Sequence, residues 1–183
     1  DIHGFDMVYG LSMGGAIANI IYANELLKMN ILIIDGGVYP DNLPYILNRL
    51  HVFQNTLEVK IVRRSKRIMK MVYPPDRWLY PWEDEDSYKE SMDFLNRLTN
   101  DTIKNCFDSC SNYKLPATFP KNDTKIYLFY GELEKKDMAW SIKSFRKTYP
   151  QAIYREFPDT DHGELSTIKY KECIQIIDEI AKK

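Results

Sequence analysis

The sequence predicts an α/β fold in which a parallel sheet is flanked by helices and interrupted by a helical insertion. Short apolar runs of strand length alternate along the chain with longer segments of helical periodicity. The runs at 31–34 and 125–130 lack polar alternation, which is typical of parallel strands covered on both faces. A segment rich in charged and aromatic residues separates the first two predicted strands from the last two. We therefore divide the chain into a first core part at 1–42, a helical cap-like insertion at 43–120 and a second core part at 121–183.

Composition excludes several classes of protein. The chain has 183 residues, 44% of them hydrophobic and 13% aromatic, which is enough to bury a core and far from a disordered composition. A net charge of -1 gives no reason to expect a nucleic-acid partner. No apolar run approaches the roughly 20 residues of a membrane span, so none is predicted. The three cysteines cannot all pair, which favours a reducing, cytoplasmic location. Cys106 and Cys110 have no nearby histidine, so we predict no metal site and no cofactor.

The secondary structure follows from periodicity and from breaker residues. Strands are predicted over residues 6–9, 31–34, 125–130 and 152–157, each ending at a glycine, an Asp-Gly pair or a proline. Helices are predicted over 13–27, 136–149 and 164–182, where apolar residues recur three or four positions apart. Within the insertion, helical spacing relates two apolar sets: Leu57, Ile61, Ile68 and Val72, then Met92, Leu95 and Leu98. We expect these helices to fold over the sheet.

The first turn of the chain contains a candidate nucleophile. Gly-Leu-Ser-Met-Gly at positions 10–14 matches the pattern G-x-S-x-G and lies between a predicted strand and a predicted helix. A sharp turn there would strain Ser12, and glycines on either side would avoid clashes. The turn would present the Ser12 hydroxyl at the carboxyl edge of the sheet, at the positive end of a helix. The backbone N–H of Met13 would then point at an oxyanion.

A serine nucleophile needs a base, and His162 is the candidate. It lies after the last predicted strand, at the same edge of the sheet as Ser12. The other two histidines, His3 and His51, are expected to be surface or packing residues.

The base needs an acid to orient it, and three carboxylates compete for that role. Glu134 lies three residues beyond the glycine that ends the third strand and is the preferred candidate. Asp137 is equally well explained as a first-turn acid of the next helix. Asp35 follows the second strand at the same edge. Glu132 lies too close to the strand end to be chosen.

Two features of the insertion bear on binding. Its aromatic residues, including Tyr73, Trp78, Tyr80 and Trp82, would suit an apolar acyl or aryl group, or would simply form the core of the insertion. Residues 60–70 contain six basic side chains and no acid. Such a stripe could attract an anionic substrate or partner. The interpretation we favour is a solvated face balanced by the acidic run 83–86.

The order Ser12, acid, His162, each following a successive strand, resembles the α/β-hydrolase family. Gly-x-Ser-x-Gly-Gly at 10–15 is similar to the family's nucleophile elbow, and Asp161-His162-Gly163 is similar to the segment around its catalytic histidine. The strand-end motif at 130–134 maps the acid onto Glu134. The insertion lies where the family has its helical cap.

The resemblance implies a serine hydrolase of the esterase or lipase type (EC 3.1.1), acting on a small-molecule acyl substrate through an acyl-enzyme. The same triad would equally serve a thioester, a peptide, a carbon–carbon bond or acyl transfer. The family sheet has about eight strands, and this sequence begins just before the elbow strand. We therefore expect missing N-terminal strands and an unpaired first strand, covered by such a segment or by a second copy of the chain. The missing part would also supply the second oxyanion donor, so the alternative is a non-catalytic binding protein with an incomplete oxyanion hole.

Overall fold

A computed structural model describes residues 4–40, 44–72 and 85–182 of the chain. His3, the four insertion aromatics at 73–82 and the start of the acidic run at 83–84 lie outside the described residues. The described helices are, in chain order, α1 (Met13–Ala23), α2 (Tyr45–Val62), α3 (Lys66–Val72), α4 (Glu85–Arg97), α5 (Asn100–Asn112), α6 (Lys135–Thr148), α7 (Glu164–Thr167) and α8 (Tyr170–Ala181).

Within the described residues, four parallel strands form one sheet whose spatial order follows the chain order. They are β1 (Phe5–Leu11), β2 (Met29–Asp35), β3 (Lys125–Gly131) and β4 (Ile153–Phe157). The register aligns Leu11 with Asp35, Asp35 with Phe129 and Gly131 with Phe157, so all four strands end at one edge. This arrangement confirms the predicted α/β class with a parallel sheet and flanking helices.

The central strands are buried on both faces, which explains their continuous apolar runs. Successive side chains of a strand point to opposite faces. Leu32 and Leu128 accordingly join a cluster with side chains of α1 and α6, such as Tyr22 and Phe145. The intervening residues of the same strands, Ile33, Tyr127 and Phe129, point to the other face and form a second cluster there. That cluster also contains Phe157 of β4, Leu165 of α7, and Cys173 and Ile180 of α8.

Two of the helix predictions were wrong, one in its end and one in its continuity. The first helix ends at Ala23 rather than at residue 27, because Glu25 adopts a left-handed conformation with φ 52° that an α-helix cannot continue. The final helix, predicted without a break over 164–182, is divided into α7 and α8. The Lys169 amide bonds to the carbonyl of Glu164, and the Lys169 ammonium donates to the carbonyl of Asp159 at 2.6 Å. These bonds fix the break and tie it to the loop after β4.

The chain separates into two compact units. One comprises Asp1–Asn42 and Cys110–Lys183 and contains the sheet with α1, α6, α7 and α8. The other is Leu43–Ser109, so residues 110–120, predicted as part of the insertion, group with the sheet. None of the described helices combines the length and the apolar character needed to cross a bilayer.

The second unit has its own small hydrophobic core and a set of hydrogen bonds made by one arginine. Val62 and Met69 are buried there, with Ile68, Val72, Met92 and Leu95 packed around them. The Arg63 guanidinium donates to the carbonyl of Leu98 at 2.7 Å and to the side-chain oxygen of Asn100 at 2.6 Å. Arg63 thereby satisfies a carbonyl just beyond the C-terminal end of α4, where helix geometry leaves acceptors unpaired.

Candidate active site

Ser12 occupies a strained turn between β1 and α1. Its φ of 53° and ψ of −115° lie outside the regions that residues with side chains ordinarily adopt. The Ser12 amide donates to the carbonyl of Asp35 at 2.8 Å, which holds the turn against the end of β2. Its carbonyl accepts the amides of Gly15 and Ala16, so Ser12 caps the first turn of α1. A serine held this way stands at the positive end of a helix dipole.

The glycines of the turn differ in how much space a side chain would have at each position. A side chain at Gly10 would place its Cβ 2.3 Å from the carbonyl oxygen of Gly14, which no Cβ tolerates. At Gly15 the Cβ would lie 3.0 Å from the Cα of Gly37, so this glycine allows α1 to approach the strand ends closely. A Cβ at Gly14 would meet nothing within 4 Å. The expectation that the glycine after the serine avoids a clash was therefore wrong.

His162 and Glu134 form a hydrogen-bonded pair at the same edge of the sheet. His162 Nδ1 lies 2.6 Å from Glu134 Oε2. The other carboxylate oxygen of Glu134 accepts the amide of Gly131 at 2.9 Å, and the side chain is only 4% exposed. The His162 amide donates to Asp161 Oδ1 at 2.8 Å, which fixes the backbone of the loop before α7. The histidine side chain itself is 37% exposed, so its far side is open.

The pair changes the acidity of the imidazole. The hydrogen bond to Glu134 raises the pKa of His162 above its usual value, although burial opposes the rise. The negative charges of Glu134, Asp35 and Asp161 act in the same direction as the hydrogen bond. The charged imidazolium is therefore favoured at this position, which is what a general base needs once it has taken a proton.

The three candidate acids occupy very different positions. Glu134 contacts His162, as described above. Asp137 is exposed in the first turn of α6, away from any hydrogen bond with the described residues. Asp35 is buried at the end of β2, where the Tyr9 hydroxyl donates a hydrogen bond to it. Burial and the neighbouring charge of Glu134 raise the pKa of Asp35 to about 6, against the opposing effects of Tyr9 and His162.

Gly36 connects the serine turn with the histidine and was not identified from the sequence. It follows Asp35, whose carbonyl holds the Ser12 amide, and it has a φ of 56°. A Cβ at Gly36 would lie 2.8 Å from both Nδ1 and Cε1 of His162. The imidazole therefore packs on the backbone immediately beyond the strand that holds Ser12. The Asp-Gly-Gly run after an apolar strand is the only sequence signal for this contact.

No hydrogen bond joins Ser12 Oγ to His162 within the described residues. Catalytic hydrogen bonds are often long before substrate binds, so this geometry is compatible with a nucleophile and base.

Elsewhere, His51 lies in α2 with its Nε2 3.0 Å from the side chain of Asn55, remote in sequence from the strand ends. In the parts of the chain that the structure describes, no group of His, Cys, Asp or Glu side chains is arranged to hold a metal ion.

Comparison with known proteins gives a match in structure but not in sequence. No family model and no curated protein matches the chain. An α/β-hydrolase family protein from Desulfitobacterium hafniense is 17% identical, with a TM-score of 0.66 over 96% of this chain and 70% of its own.

Two further solved structures are similar at comparable identity. Bromoperoxidase from Bacillus anthracis is 14% identical, with a TM-score of 0.70 over 98% of this chain and 68% of its own. An esterase from Exiguobacterium antarcticum is 16% identical, with a TM-score of 0.65 over the same shares, 98% and 68%. The chain thus spans about two thirds of the length of these proteins. The parallel sheet with its flanking helices and these structural matches together show that the chain has the α/β-hydrolase fold.

Proposed function

We propose that the chain is a serine hydrolase that cleaves an acyl bond of the carboxylic-ester type. In this proposal Ser12 is the nucleophile, His162 the general base and Glu134 the residue that orients His162. The observation that carries the proposal is the 2.6 Å contact between His162 Nδ1 and buried Glu134, beside the strained Ser12 turn. Strain of this kind and a histidine whose pKa is raised by a specific acid are both typical of functional sites.

The proposed reaction has two steps. With Nδ1–H donated to Glu134, His162 presents an unprotonated Nε2, which takes the Ser12 proton as Oγ attacks the acyl carbon. The resulting imidazolium returns the proton to the leaving alkoxide as the carbon–oxygen bond breaks, and an acyl-enzyme remains. His162 then takes a proton from water, the hydroxide attacks the acyl-enzyme, and Ser12 leaves with that proton.

The oxyanion needs donors close to Ser12. Met13 is the first residue of α1, so its amide is one of the N–H groups that helix geometry leaves without an intrahelical partner. We assign it as one donor. A second donor contributes about 2.7–4 kcal/mol to transition-state stabilisation in comparable enzymes, and we assign it to no described residue.

The alternative to a hydrolase is a hydrolase-like binding protein. A chain that folds and binds acyl compounds without turning them over would fit that alternative.

The substrate class is proposed on coarser grounds. Two of the similar structures are an esterase and a bromoperoxidase, so the fold accommodates more than one chemistry. Thioester, peptide or carbon–carbon cleavage and acyl transfer use the same three residues. The role of the insertion as a cap that selects the acyl group, and the cytoplasmic location, also remain proposals.

The test is labelling with a fluorophosphonate, which reacts preferentially with an activated serine. We expect one probe per chain by intact mass in the 183-residue protein, none in Ser12→Ala, and greatly slowed labelling in His162→Asn. A panel of esters of increasing acyl length, read by alcohol release, then defines the substrate. Folded protein that neither labels nor turns over any ester would refute the hydrolase and favour the binding protein.

A further inference from the structure

Helix α2 has apolar side chains on two opposite sides. Its inward side buries Val52 and Val62, together with Thr56, whose hydroxyl bonds back to the helix. Its outward side carries apolar residues at intervals of three or four positions, 41 to 71% exposed: Ile46, Leu50, Phe53, Leu57 and Ile61. These positions form one stripe about 22 Å long, from a rise of about 1.5 Å per residue. We call this stripe the outward face of α2. A contiguous exposed apolar stripe of this kind marks an interaction surface.

The segment that contains the outward face is rich in positive charge. Residues 44–72 contain seven Lys or Arg and a single acid, Glu58, a net charge of +6 in a chain whose total is −1. Lys60 and Arg64 continue the stripe at helical spacing, and exposed Arg67 follows at the start of α3. None of these three forms an ion pair with the described residues.

Other basic side chains of the segment are already engaged. Arg63 binds the carbonyl of Leu98 beyond the end of α4, and Arg49 lies 3.3 Å from Asp108 of α5. The basic residues next to the outward face are thus the ones left for a partner. The prediction of a merely solvated basic stripe did not include the exposed apolar face beside it.

The combination of positive charge and apolar surface distinguishes among the possible binding partners of the outward face. A second copy of the chain would bring two segments of +6 charge together, which like-charge repulsion opposes. Nucleic acid would match the charge but would leave the aliphatic stripe without a partner. An anionic bilayer matches both, because its headgroups attract basic side chains and its acyl region accepts Leu, Ile and Phe. We propose that the outward face of α2, with Lys60, Arg64 and Arg67, docks the protein on the anionic surface of a lipid bilayer.

The proposed contact is peripheral. The helix would lie in the plane of the interface, with Leu50 and Phe53 among the acyl chains and the basic residues at the level of the headgroups. It requires neither a spanning segment nor the Ser12 chemistry, so it stands or falls independently of the proposed hydrolase activity. It also requires salt sensitivity, since the attraction of exposed charges is screened within about 8 Å at physiological ionic strength.

The test measures co-sedimentation of the intact chain with large vesicles of phosphatidylcholine, with and without about 30% phosphatidylserine, at low and high salt. We expect binding to the anionic vesicles that weakens as salt rises. Phe53→Ser should lower the partition coefficient about tenfold, because a large apolar side chain no longer leaves water. Leu26→Ser is the matched control: Leu26 is 62% exposed, against 65% for Phe53, but lies outside α2, and its loss should leave binding unchanged.

A second pair of variants isolates the charge. Arg64→Glu with Arg67→Glu should lower partitioning at least tenfold, since each basic residue near an anionic surface contributes severalfold. Lys114→Glu with Lys121→Glu makes the same change in net charge at exposed positions beyond the second unit and should have little effect. All substitutions are at exposed positions, and thermal unfolding verifies that each variant is folded.

Three results would overturn the proposal. The first is the absence of sedimentation of folded wild-type protein with anionic vesicles at low salt. The second is an equal loss of binding in the control and test variants. The third is a protein that does not bind vesicles but binds an acidic amphipathic peptide, or forms a dimer that dissociates on Phe53→Ser. Either result would assign the outward face to a protein partner.

Discussion

Replacing Glu134 by glutamine tests the orientation of His162, because the surrounding donors determine how the new amide must lie. The amide of Gly131 donates to Glu134 Oε1 at 2.9 Å. In Glu134→Gln the side-chain oxygen would keep that hydrogen bond, since a nitrogen there would face another donor. The amide nitrogen would then occupy the position of Oε2, 2.6 Å from His162 Nδ1 in the wild type. An N–H donor at that point requires an unprotonated Nδ1.

The consequence is the wrong tautomer. With Nδ1 as an acceptor, the neutral imidazole carries its proton on Nε2 and cannot take the proton of Ser12. A tautomer error of this kind costs serine hydrolases about 10⁴-fold in kcat. We expect ester hydrolysis and fluorophosphonate labelling to fall about 10³- to 10⁴-fold, with little change in KM. Stability should change little, because Gly131 keeps its acceptor.

The pH profile provides a second readout. Glu134 is the main reason that the pKa of His162 is raised, so the glutamine variant should have a lower His162 pKa. Activity depends on neutral His162, so the acidic limb of the profile should move to lower pH in the variant. The assay is kcat/KM for one chromogenic ester between pH 5 and 9, with exposed Asp137→Asn as the matched control. A glutamine variant that keeps more than a tenth of wild-type activity would refute the assignment and direct attention to Asp35.

Three further outcomes follow from the described geometry. Gly10→Ala should destabilise the protein by 2 kcal/mol or more in urea unfolding, because its Cβ would lie 2.3 Å from a carbonyl oxygen, whereas Gly14→Ala has open space and should stabilise it by about 0.5–1 kcal/mol; equal effects would contradict this. The raised pKa of Asp35, about 6, means that its contribution to stability is fully present below the unfolded pKa near 3.8 and is lost as pH rises through 6. Asp35→Asn should therefore gain stability over wild type, by about 1–3 kcal/mol, as pH rises from 4 to 8, and a pH-independent difference would contradict the burial argument. Arg63→Ala should destabilise the second unit by about 1–3 kcal/mol, since carbonyls at the end of a helix lose their donor, while Arg64→Ala, exposed and without an ion pair to the described residues, should change thermal unfolding by less than 0.5 kcal/mol.

Much of the sheet could be predicted because burial on both faces leaves a strong mark in the sequence. The runs at 31–34 and 126–130 are apolar throughout, and the structure covers both faces of these strands. The helix ends were harder, because they depend on single backbone conformations such as the positive φ of Glu25, which no periodicity encodes. The bonds of Lys169 to the loop after β4 are likewise tertiary contacts and interrupt a helical pattern that is continuous in sequence.

The candidate site was predictable in its local parts and not in its contacts. The Ser12 turn carries its own signal, since glycines and a strand-to-helix transition identify it. The sequence left Glu134, Asp137 and Asp35 as rivals, and only the fold separates them by placing one against His162. The contact of Gly36 with His162 and the Tyr9–Asp35 hydrogen bond could not be predicted without the register of β1, β2 and β3. That register brings together residues from distant parts of the chain.

The chain-ordered sheet has a consequence for the time at which the serine could become reactive during synthesis. Ser12 follows the first described strand, ahead of the entire insertion. Glu134 follows β3 and His162 follows β4, only 28 residues apart. A growing chain folds from its N-terminal end. The nucleophile would therefore emerge from the ribosome long before its base, and the base would arrive together with its own orienting acid. An early intermediate would carry an unactivated hydroxyl, and reactivity would appear only when β4 docks on β3.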